Sequence, residues 1–573
     1  MVAVAYGINL FVDVMQVDAA QYAAMSWEMF TTKNYLQVLC LKVPYLDKPP
    51  LLFWLNTLSF KLLGINNAAY KLSSLLFMLL GIYSTYRFAR LFFSENTARL
   101  SALMLATTQA AFLITNDVRT DTLLLGAVMF SIWQLAEYFE TGRPLNIFLG
   151  GVGVGLALLS KGPIGLIACG AALLPYVVIK KKINLLLNWK ILLPVFIMAL
   201  MLLPMCIALY QQWGGKGLKF YFWTQSFGRI TGESEWNNHP DTFFLVHTTI
   251  WAFMPWSIFL FAGWFSGLYH AIKYKLQLTG SGELITLSGF TLVLIALMLS
   301  KYQLPHYIFV VYPLGAVIAA NYLQKLFSVP GNGKWAVLIQ AVLLLALVAI
   351  SVLLQYAFKG IEPFSVALLI LLYPALIFAA IKLNGPVKDL RTAYVYTSQG
   401  TANFVNSIKG KKARGLTAKA AAAFDIAGRN IVGVSAAVAI AFNVLMGAFY
   451  YTAIIKYQPE NDFGRYIAQH PDKHLVLYCC TSDFALAFYA RQYMPEPVWD
   501  IQHLNDTLAA TKNLLVITNN DRIGDLDKGA MHYQIIEQHA AFKISGLTLP
   551  FLNPATRESV CKKMYLLEID KPR

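Results

Sequence analysis

Residues 115–142 read TNDVRTDTLLLGAVMFSIWQLAEYFETG, a charged cluster followed at once by a long apolar run. A helix needs about 20 mostly apolar residues to cross the hydrocarbon core of a membrane, and the run from 119 to 139 is of that length. Its ionisable residues Asp117, Arg119 and Asp121 gather at one end of the run. The stretch therefore predicts a membrane-spanning helix with acids and a base at the membrane boundary.

The rest of the chain repeats this pattern. Of 573 residues, 57% are hydrophobic and 13% are charged, and the mean hydropathy is +0.54, whereas a soluble domain carries about 25% charged residues. The apolar run 1–11 is too short to span and is interpreted as half of a first span. We predict a polytopic α-helical membrane protein with about 12–13 transmembrane helices, whose other spans lie near 68–92, 98–115, 119–139, 145–160, 163–180, 191–210, 247–268, 284–300, 306–324, 335–357, 362–382 and 431–455.

The distribution of Lys and Arg predicts the orientation. Short cytoplasmic loops are enriched in these residues. One set of loops shows this enrichment and is therefore predicted to be cytoplasmic. Its basic residues are Arg87, Arg90, Arg99, Arg143, Lys180, Lys181, Lys182, Lys190, Lys273, Lys275, Lys325, Lys334 and those of 383–430. The opposite loops carry mostly lone basic residues. The net charge of +16 is therefore interpreted as a topology signal that also attracts anionic lipid or phosphate, and not as a nucleic-acid surface.

The predicted domains follow from these spans. Residues 1–455 form the transmembrane domain, in which 12–67 and 211–246 are outer-face loops with interfacial helices and 383–430 is a cytoplasmic loop. Glu28 is predicted on the solvated face of the first interfacial helix. Strand-like and helix-like runs alternate in 456–573, which predicts a small C-terminal α/β extracytoplasmic domain. The six cysteines show no metal-binding spacing.

Six clusters of side chains that could take part in a reaction fall in the outer loops. They are VDAAQY with Asp18, YLDKPP with Asp47 and Lys48, NDVRTD with Arg119 and Asp121, SKGP with Lys161, QSFGRITGE with Arg229, and SKYQLPHY with Lys301, His306 and Tyr307. Together they predict a phosphate held by lysines and arginine, with Asp18 or Asp121 available as a general base.

Each cluster also has a simpler interpretation. Asp is a strong N-cap residue, so Asp18 could cap a helix. Pro49 and Pro50 could start a helix, although this does not explain Lys48, which costs free energy at the hydrocarbon boundary unless it is paired. Arg119 could form a purely structural ion pair, and His306 could be merely interfacial. The carboxylates of Asp117 and Asp121 could also hold a divalent cation, Asp47 is a further candidate metal ligand, and no other cofactor is predicted.

In sequence order these motifs resemble those of membrane-embedded glycosyltransferases that use lipid-phosphate sugars. Asp-x-x-x-Tyr, DKPP, R-x-D, S-K-G-P, F-G-R and K-x-x-L-P-x-Y over residues 10–325 are similar to the GT-C type, specifically the bacterial branch with the aminoarabinose (lipid A) transferases, related to protein O-mannosyltransferases. By this resemblance Asp18 takes the place of the catalytic acid, and Lys48, Lys161, Arg229 and Lys301 bind the donor phosphate. Asp47, Arg119, His306 and Tyr307 support them.

The resemblance implies an inverting transfer from a polyprenyl (undecaprenyl) phosphate sugar to a lipid A-like glycolipid or another envelope acceptor. The reaction would take place on the periplasmic face of the bacterial inner membrane. The chain departs from the family pattern at Ala19, which replaces the second acid of an Asp-Glu pair, and at Gln225–Ser226, which replace Glu-His. A lipid-linked-sugar flippase or transporter, and a polysaccharide ligase or polymerase, are the alternative functions.

Overall fold

The computed structural model describes residues 1–186, 188–225, 228, 238, 240–276, 279–328, 334–358, 366, 370–375, 377, 430–478, 483–511, 514–529 and 531–569. Its helices in the N-terminal half are α1 Val2–Phe11, α2 Asp18–Thr32, α3 Leu51–Leu63, α4 Asn67–Phe92, α5 Glu95–Ala106, α6 Gln109–Asn116, α7 Thr120–Thr141, α8 Pro144–Lys161, α9 Ile164–Ile179, α10 Ile183–Leu186, α11 Leu192–Trp213 and α12 Gly215–Lys219. The helices of the bundle that follow are α13 Phe244–Ala252, α14 Ser257–Lys273, α15 Ser281–Met298, α16 Tyr312–Ser328, α17 Lys334–Ala357 and α18 Asn430–Ile455.

The predicted fold class of a polytopic helical bundle is confirmed. Within the described residues, eight helices are long and apolar enough to cross a membrane, or nine if the bent pair α5 and α6 forms one span. The predicted span 98–115 is that pair, bent by 49°. The predicted span 247–268 is broken between α13 and α14 at Pro255, because proline cannot donate a backbone hydrogen bond. The span 362–382 and the loop 383–430 lie largely or wholly outside the described residues.

Helix α7 begins directly after the charged residues Asp117 and Arg119. It is the most enclosed of these spans, since 83% of its apolar stretch is buried inside the bundle. It packs against α4 and α8. A Cβ atom added at Gly126 would lie 2.3 Å from the carbonyl oxygen of Phe77, so only glycine permits this approach of α7 to α4. Small residues allow such close packing between helices in lipid. The N-terminus of α7 is thereby held at the centre of one end of the bundle.

The predicted C-terminal α/β fold is also confirmed. Four strands, β3 His474–Leu477, β4 Leu514–Asn519, β5 Tyr533–Ala541 and β6 Lys562–Ile569, form one sheet in the order β3-β4-β6-β5. β3 and β4 are parallel, and the other two pairings are antiparallel. The helices of this C-terminal unit are α19 Glu460–Gln469, α20 Phe484–Ala490, α21 Ile501–Ala510, α22 Asn520–Lys528, α23 Leu549–Leu552 and α24 Arg557–Val560. The unit packs on the bundle through α20 and α2.

The structure corrects the prediction for Glu28. Glu28 is only 1% exposed. Two parts of the chain cover this face of α2: a short hairpin of strands β1 Leu39–Cys40 and β2 Val43–Pro44, and the C-terminal unit. The Glu28 carboxylate accepts hydrogen bonds from the backbone N–H of Lys42 (2.7 Å) and from the hydroxyl of Tyr493 (3.2 Å). These bonds replace part of the hydration that a buried carboxylate loses.

A buried pair of acids at the junction of the two units predicts a pH-dependent stability. Burial, reinforced by the neighbouring Asp483, raises the pKa of Glu460 to about 8. The folded protein then keeps a proton that the unfolded chain releases near the ordinary value of 4.5. Stability should therefore fall as the pH rises from 4.5 to 8 and level off above that range. Replacing Glu460 with Gln should flatten this dependence in thermal unfolding measurements.

The control for this experiment is Glu496→Gln, at an exposed position of the same unit. We expect its unfolding temperature to follow the wild type at every pH. If Glu460→Gln and the wild type lose stability in parallel between pH 5 and pH 8, Glu460 is not the group that takes up the proton.

Candidate active site

The candidate site lies where α2, α7 and the DKPP turn meet at one end of the bundle. Asp18 is the first residue of α2, and Val17 occupies the N-cap position. The Asp18 carboxylate pairs with the guanidinium of Arg119, which precedes α7, and so it does not serve as the helix cap. Arg119 also donates from Nε to Asp117 Oδ2 at 2.7 Å. One arginine thus connects two carboxylates from different parts of the chain.

Electrostatics keeps Arg119 charged. Burial acts to lower the pKa of Arg119, but the carboxylates of Asp117 and Asp18 outweigh burial and hold that pKa above its ordinary value. The Asp18 side chain remains 35% exposed, so one side of the carboxylate is open to solvent or a substrate. A carboxylate that is fixed in position and accessible from one side can reach an acceptor hydroxyl, as a general base must.

The second group is centred on the DKPP turn. Lys48 pairs with the neighbouring Asp47 carboxylate, and the side-chain amide of Gln225 donates to the Asp47 backbone carbonyl and lies 3.3 Å from its carboxylate. Helix α3 begins directly after the two prolines, with Pro50 as its N-cap, so the simpler interpretation of the prolines is correct as well. The rigid turn fixes Lys48 relative to the bundle.

Lys48 lines a pocket that is otherwise largely apolar. The α11 residues Met205, Ala208 and Leu209 form one wall of the pocket, and Tyr221 also lines it. A lysine beside an apolar groove offers an ammonium group for an anion and a surface for a hydrocarbon chain. This combination suits an amphiphile with an anionic head.

The third group joins the first turn of α7, the last residue of α8 and the 3-10 helix Pro305–Val311, which lies between α15 and α16. Lys161 Nζ lies 2.5 Å from Asp121 Oδ1 and 3.8 Å from the centre of the Tyr307 ring. His306 Nε2 lies 3.7 Å from the other oxygen of Asp121. The Asp121 side chain is only 4% exposed. Its carboxylate is therefore engaged and much less accessible than that of Asp18.

The three groups form one electrostatic unit. Arg119, Lys161 and Lys48 all lie close enough to His306 for their charges to act on it, so the three groups border the same region. Each of these cations is paired with a carboxylate, and such charge interactions are stronger where water is partly excluded. A phosphate can therefore bind here by taking the place of a carboxylate beside a lysine.

Two of the predicted phosphate ligands stand apart from the residues assembled above. Arg229 lies outside the described residues. Lys301 lies on an exposed turn after α15, where its backbone carbonyl accepts a hydrogen bond from the Asn238 N–H (3.3 Å). Within the described residues, no ion pair connects its side chain to the three groups. Their roles as phosphate ligands remain predictions.

Two tyrosines of the site belong to the motifs VDAAQY and YLDKPP, but no role was predicted for them from the sequence. Burial, followed by the charge of Asp18, raises the pKa of Tyr22 well above its usual range. Tyr22 follows Asp18 by four residues, the spacing that places two side chains on one helix face, and this was the available signal. Burial and then Asp47 raise the pKa of Tyr45, which lines the Lys48 pocket. Both tyrosines stay neutral and can donate hydrogen bonds.

Several side chains of the site are of the kinds that can bind a divalent metal ion. Among the side chains that the structure describes, no group of three His, Cys, Asp or Glu residues converges to hold a metal ion. Asp47, the candidate ligand, instead contacts Lys48 and Gln225. An amide at position 225 is a weaker metal ligand than a carboxylate. The described site thus gives a divalent metal no ligand set, and the mechanism below does not use one.

Several known sequences similar to this chain are transferases that are named for lipid-phosphate sugars. A family profile described as dolichyl-phosphate-mannose-protein mannosyltransferase matches residues 47–207. The undecaprenyl phosphate-alpha-4-amino-4-deoxy-L-arabinose arabinosyl transferase of Erwinia tasmaniensis is 26% identical over 358 residues, which cover 60% of this chain and 62% of the relative. The enzyme of the same name from Enterobacter sp. is 26% identical over 338 residues, covering 56% and 57%. These matches therefore span about 60% of the relatives' lengths.

Comparison with solved structures shows the fold. The crystal structure of ArnT from Cupriavidus metallidurans bound to undecaprenyl phosphate matches with a TM-score of 0.69 at 17% identity, and covers 99% of this chain and 96% of that chain. The apo structure of the same protein matches with a TM-score of 0.65. The chain thus has the GT-C-type fold of ArnT, including its C-terminal unit.

Proposed function

We propose that this multi-pass membrane protein, with the ArnT fold and aminoarabinose transferases among its sequence relatives, is an inverting glycosyltransferase that uses a polyprenyl phosphate sugar. The acceptor is a lipid A-like glycolipid or another envelope component on the periplasmic face of the inner membrane. The observation that carries this proposal is the placement of Lys48 beside an apolar pocket, in the same electrostatic unit as the accessible Asp18 carboxylate. The sequence relatives and the ArnT structure bound to undecaprenyl phosphate support the choice of donor.

In this mechanism the donor places its phosphate at Lys48 and lays its lipid chain against the apolar surface beside the small pocket. Asp18 accepts the proton of the acceptor hydroxyl, whose oxygen forms a bond to the anomeric carbon of the sugar. The bond between that carbon and the donor phosphate oxygen breaks, and the polyprenyl phosphate leaves with the bonding electron pair. Lys48 stabilises the negative charge that develops on the leaving phosphate. Attack opposite the leaving group inverts the anomeric configuration.

The supporting residues hold this arrangement. Arg119 orients Asp18 and is itself held by Asp117. Asp121 holds Lys161, whose ammonium is directed toward the same region as Lys48. The accessible Asp18 is therefore the better candidate for the base, and Asp121 is assigned a positioning role.

The test is a transfer assay with the purified protein in lipid nanodiscs. A radiolabelled undecaprenyl phosphate sugar is supplied together with a total envelope lipid extract, and the product is characterised by mass and by anomeric configuration. A new labelled glycolipid with inverted configuration is expected. Label that only crosses the bilayer of sealed vesicles, with no new product, would support the flippase alternative and contradict the proposal.

A variant of Lys48 tests the phosphate contact directly. Lys48→Ala should weaken binding of undecaprenyl phosphate by roughly tenfold or more, because a hydrogen bond to a charged group contributes about 1.5–3 kcal/mol. Affinity is measured by equilibrium titration of the lipid in detergent. The matched control is Lys42→Ala, which removes an exposed lysine six residues away. Equal affinity of the Lys48 variant and the wild type would remove Lys48 from the donor site.

A further inference from the structure

The segment of residues 12–17 connects α1 to α2 and ends at Asp18. It belongs to neither helix, since α1 ends at Phe11 and α2 begins at Asp18. The position of a side chain at the first residue of a helix depends on the backbone that leads into it. Whatever fixes this segment therefore also fixes the Asp18 carboxylate.

Side chains of the C-terminal unit bind the backbone of this segment. The Val14 N–H donates to the Tyr489 hydroxyl (2.8 Å), and the Gln16 N–H donates to Gln458 Oε1 (2.8 Å). The side-chain amide of Gln458 donates in return to the Val14 carbonyl (3.1 Å). Gln458 is 1% exposed. Buried backbone groups need such partners, and here the partners come from a part of the chain more than 440 residues away.

The side chains of the segment reinforce this attachment. The Gln16 amide donates to Asp483 Oδ2 (2.9 Å), and Asp13 pairs with Arg465, whose guanidinium lies 4.7 Å from the centre of the Tyr489 ring. The C-terminal unit thus contacts the segment at three positions, 13, 14 and 16. Such contacts restrict both its path and its rotation.

The transmembrane domain holds the other side of the segment. Lys71, fully buried in α4, donates to the Val12 carbonyl (2.7 Å), the Asn9 carbonyl (3.0 Å) and Asn116 Oδ1 (2.6 Å). Asn116 precedes Asp117, which holds Arg119. Lys71 thereby connects the beginning of the segment to the residues that hold Arg119. The backbone of Val14–Gln16 is then held mainly by the C-terminal unit.

We infer that Gln458 and Tyr489 of the C-terminal unit are positioning residues, which set the Asp18 carboxylate against Arg119 through the 12–17 segment. This inference rests on the proposed function, in which Asp18 is the base. A carboxylate displaced by about 1 Å loses much of its catalytic effect, whereas the donor site around Lys48 does not depend on this segment. The C-terminal unit thus contributes to catalysis without contacting either substrate.

The test compares Tyr489→Phe and Gln458→Ala with the wild type in the transfer assay. Tyr489→Phe keeps the aromatic packing and removes the hydroxyl that accepts from Val14 and donates to Asn67. For both variants kcat should fall roughly tenfold while KM for the donor stays within about twofold, since the donor phosphate contacts are retained. The matched control is Tyr457→Phe, which removes a hydroxyl of the same unit that contacts Arg557 instead.

A conservative variant separates positioning from a merely structural role. A protonated glutamic acid at position 458 can accept from Gln16 and donate to Val14, whereas a carboxylate can only accept. Gln458→Glu should therefore approach wild-type kcat at low pH and lose activity as the pH rises, relative to the wild type at each pH.

The outcomes are distinguishable. Wild-type kcat in Tyr489→Phe, with Asp18→Asn inactive, would overturn the positioning inference alone. Substantial transfer by Asp18→Asn would overturn the role of Asp18 and the inference with it. Equal changes of kcat and KM, matched by Tyr457→Phe, would show a general structural effect and also overturn the inference. If Gln458→Ala does not fold, Tyr489→Phe decides.

Discussion

Replacing Asp18 with Asn should reduce kcat for sugar transfer by roughly 10²–10⁴-fold, the range that a general base contributes, while leaving the protein folded. Asparagine keeps the size and polarity of the side chain but cannot take the acceptor proton. Folding should survive because Arg119 retains its bond to Asp117 (2.7 Å) and because the Asp18 side chain is 35% exposed. The measurement is single-turnover transfer with saturating donor, together with thermal unfolding.

The matched control is Asp525→Asn in α22 of the C-terminal unit. Asp525 pairs with Arg522 at 3.2 Å, and its side chain is 32% exposed, close to the exposure of Asp18. The control therefore removes a carboxylate from an arginine that, within the described residues, contacts neither the candidate site nor the 12–17 segment. It should leave transfer unchanged. Activity of Asp18→Asn within a few-fold of this control would mean that another group serves as the base.

Features that depend on local sequence were predictable, whereas contacts between residues distant in sequence were not. The spans were predictable because hydropathy over about 20 residues is a local property, and the strands of the C-terminal unit were predictable from short apolar runs. The pairing of Asp18 with Arg119 joins positions 101 residues apart. It depends on how the bundle folds, which hydropathy does not encode, so the sequence supplied both candidates but not their contact.

The prediction for Glu28 was wrong for the same physical reason. A polar residue at an amphipathic position predicts a solvated face, and for an isolated helix that expectation is sound. Here the hydroxyl of Tyr493 comes from 465 residues away to bond this carboxylate. Helical periodicity cannot reveal that a second unit will cover the polar face of a helix.

The attachment of the 12–17 segment was unpredictable for a related reason. Its contacts are backbone groups bound by Gln458 and Tyr489, and backbone groups carry no sequence signature. The motif at Asp18 nevertheless marks the point where this segment ends. Local sequence therefore supplied Asp18 as the candidate base, while the structure shows which distant residues hold the segment that leads to it.

Replacing Lys161 with Met should destabilise the protein by about 3–5 kcal/mol, the usual cost of removing one partner of a buried ion pair. Asp121 is only 4% exposed, and its nearer ionic partner is Lys161 at 2.5 Å, so the variant leaves its carboxylate with His306 at 3.7 Å. Methionine keeps the apolar stem against the Tyr307 ring. The loss therefore reports the charge rather than the packing, and thermal unfolding in detergent measures it.

The double variant Asp121→Asn with Lys161→Met should recover most of this stability, because it removes both charges and leaves neither one buried alone. The matched control is Lys325→Met, whose partner is Glu283 in a pair with 63% and 31% exposed side chains; its loss should not exceed about 1 kcal/mol. Additive losses in the double variant would contradict a direct pairing of Asp121 with Lys161. A double variant that is stable but inactive would show that this pair serves the reaction and not only the fold, because its structural cost would already have been removed.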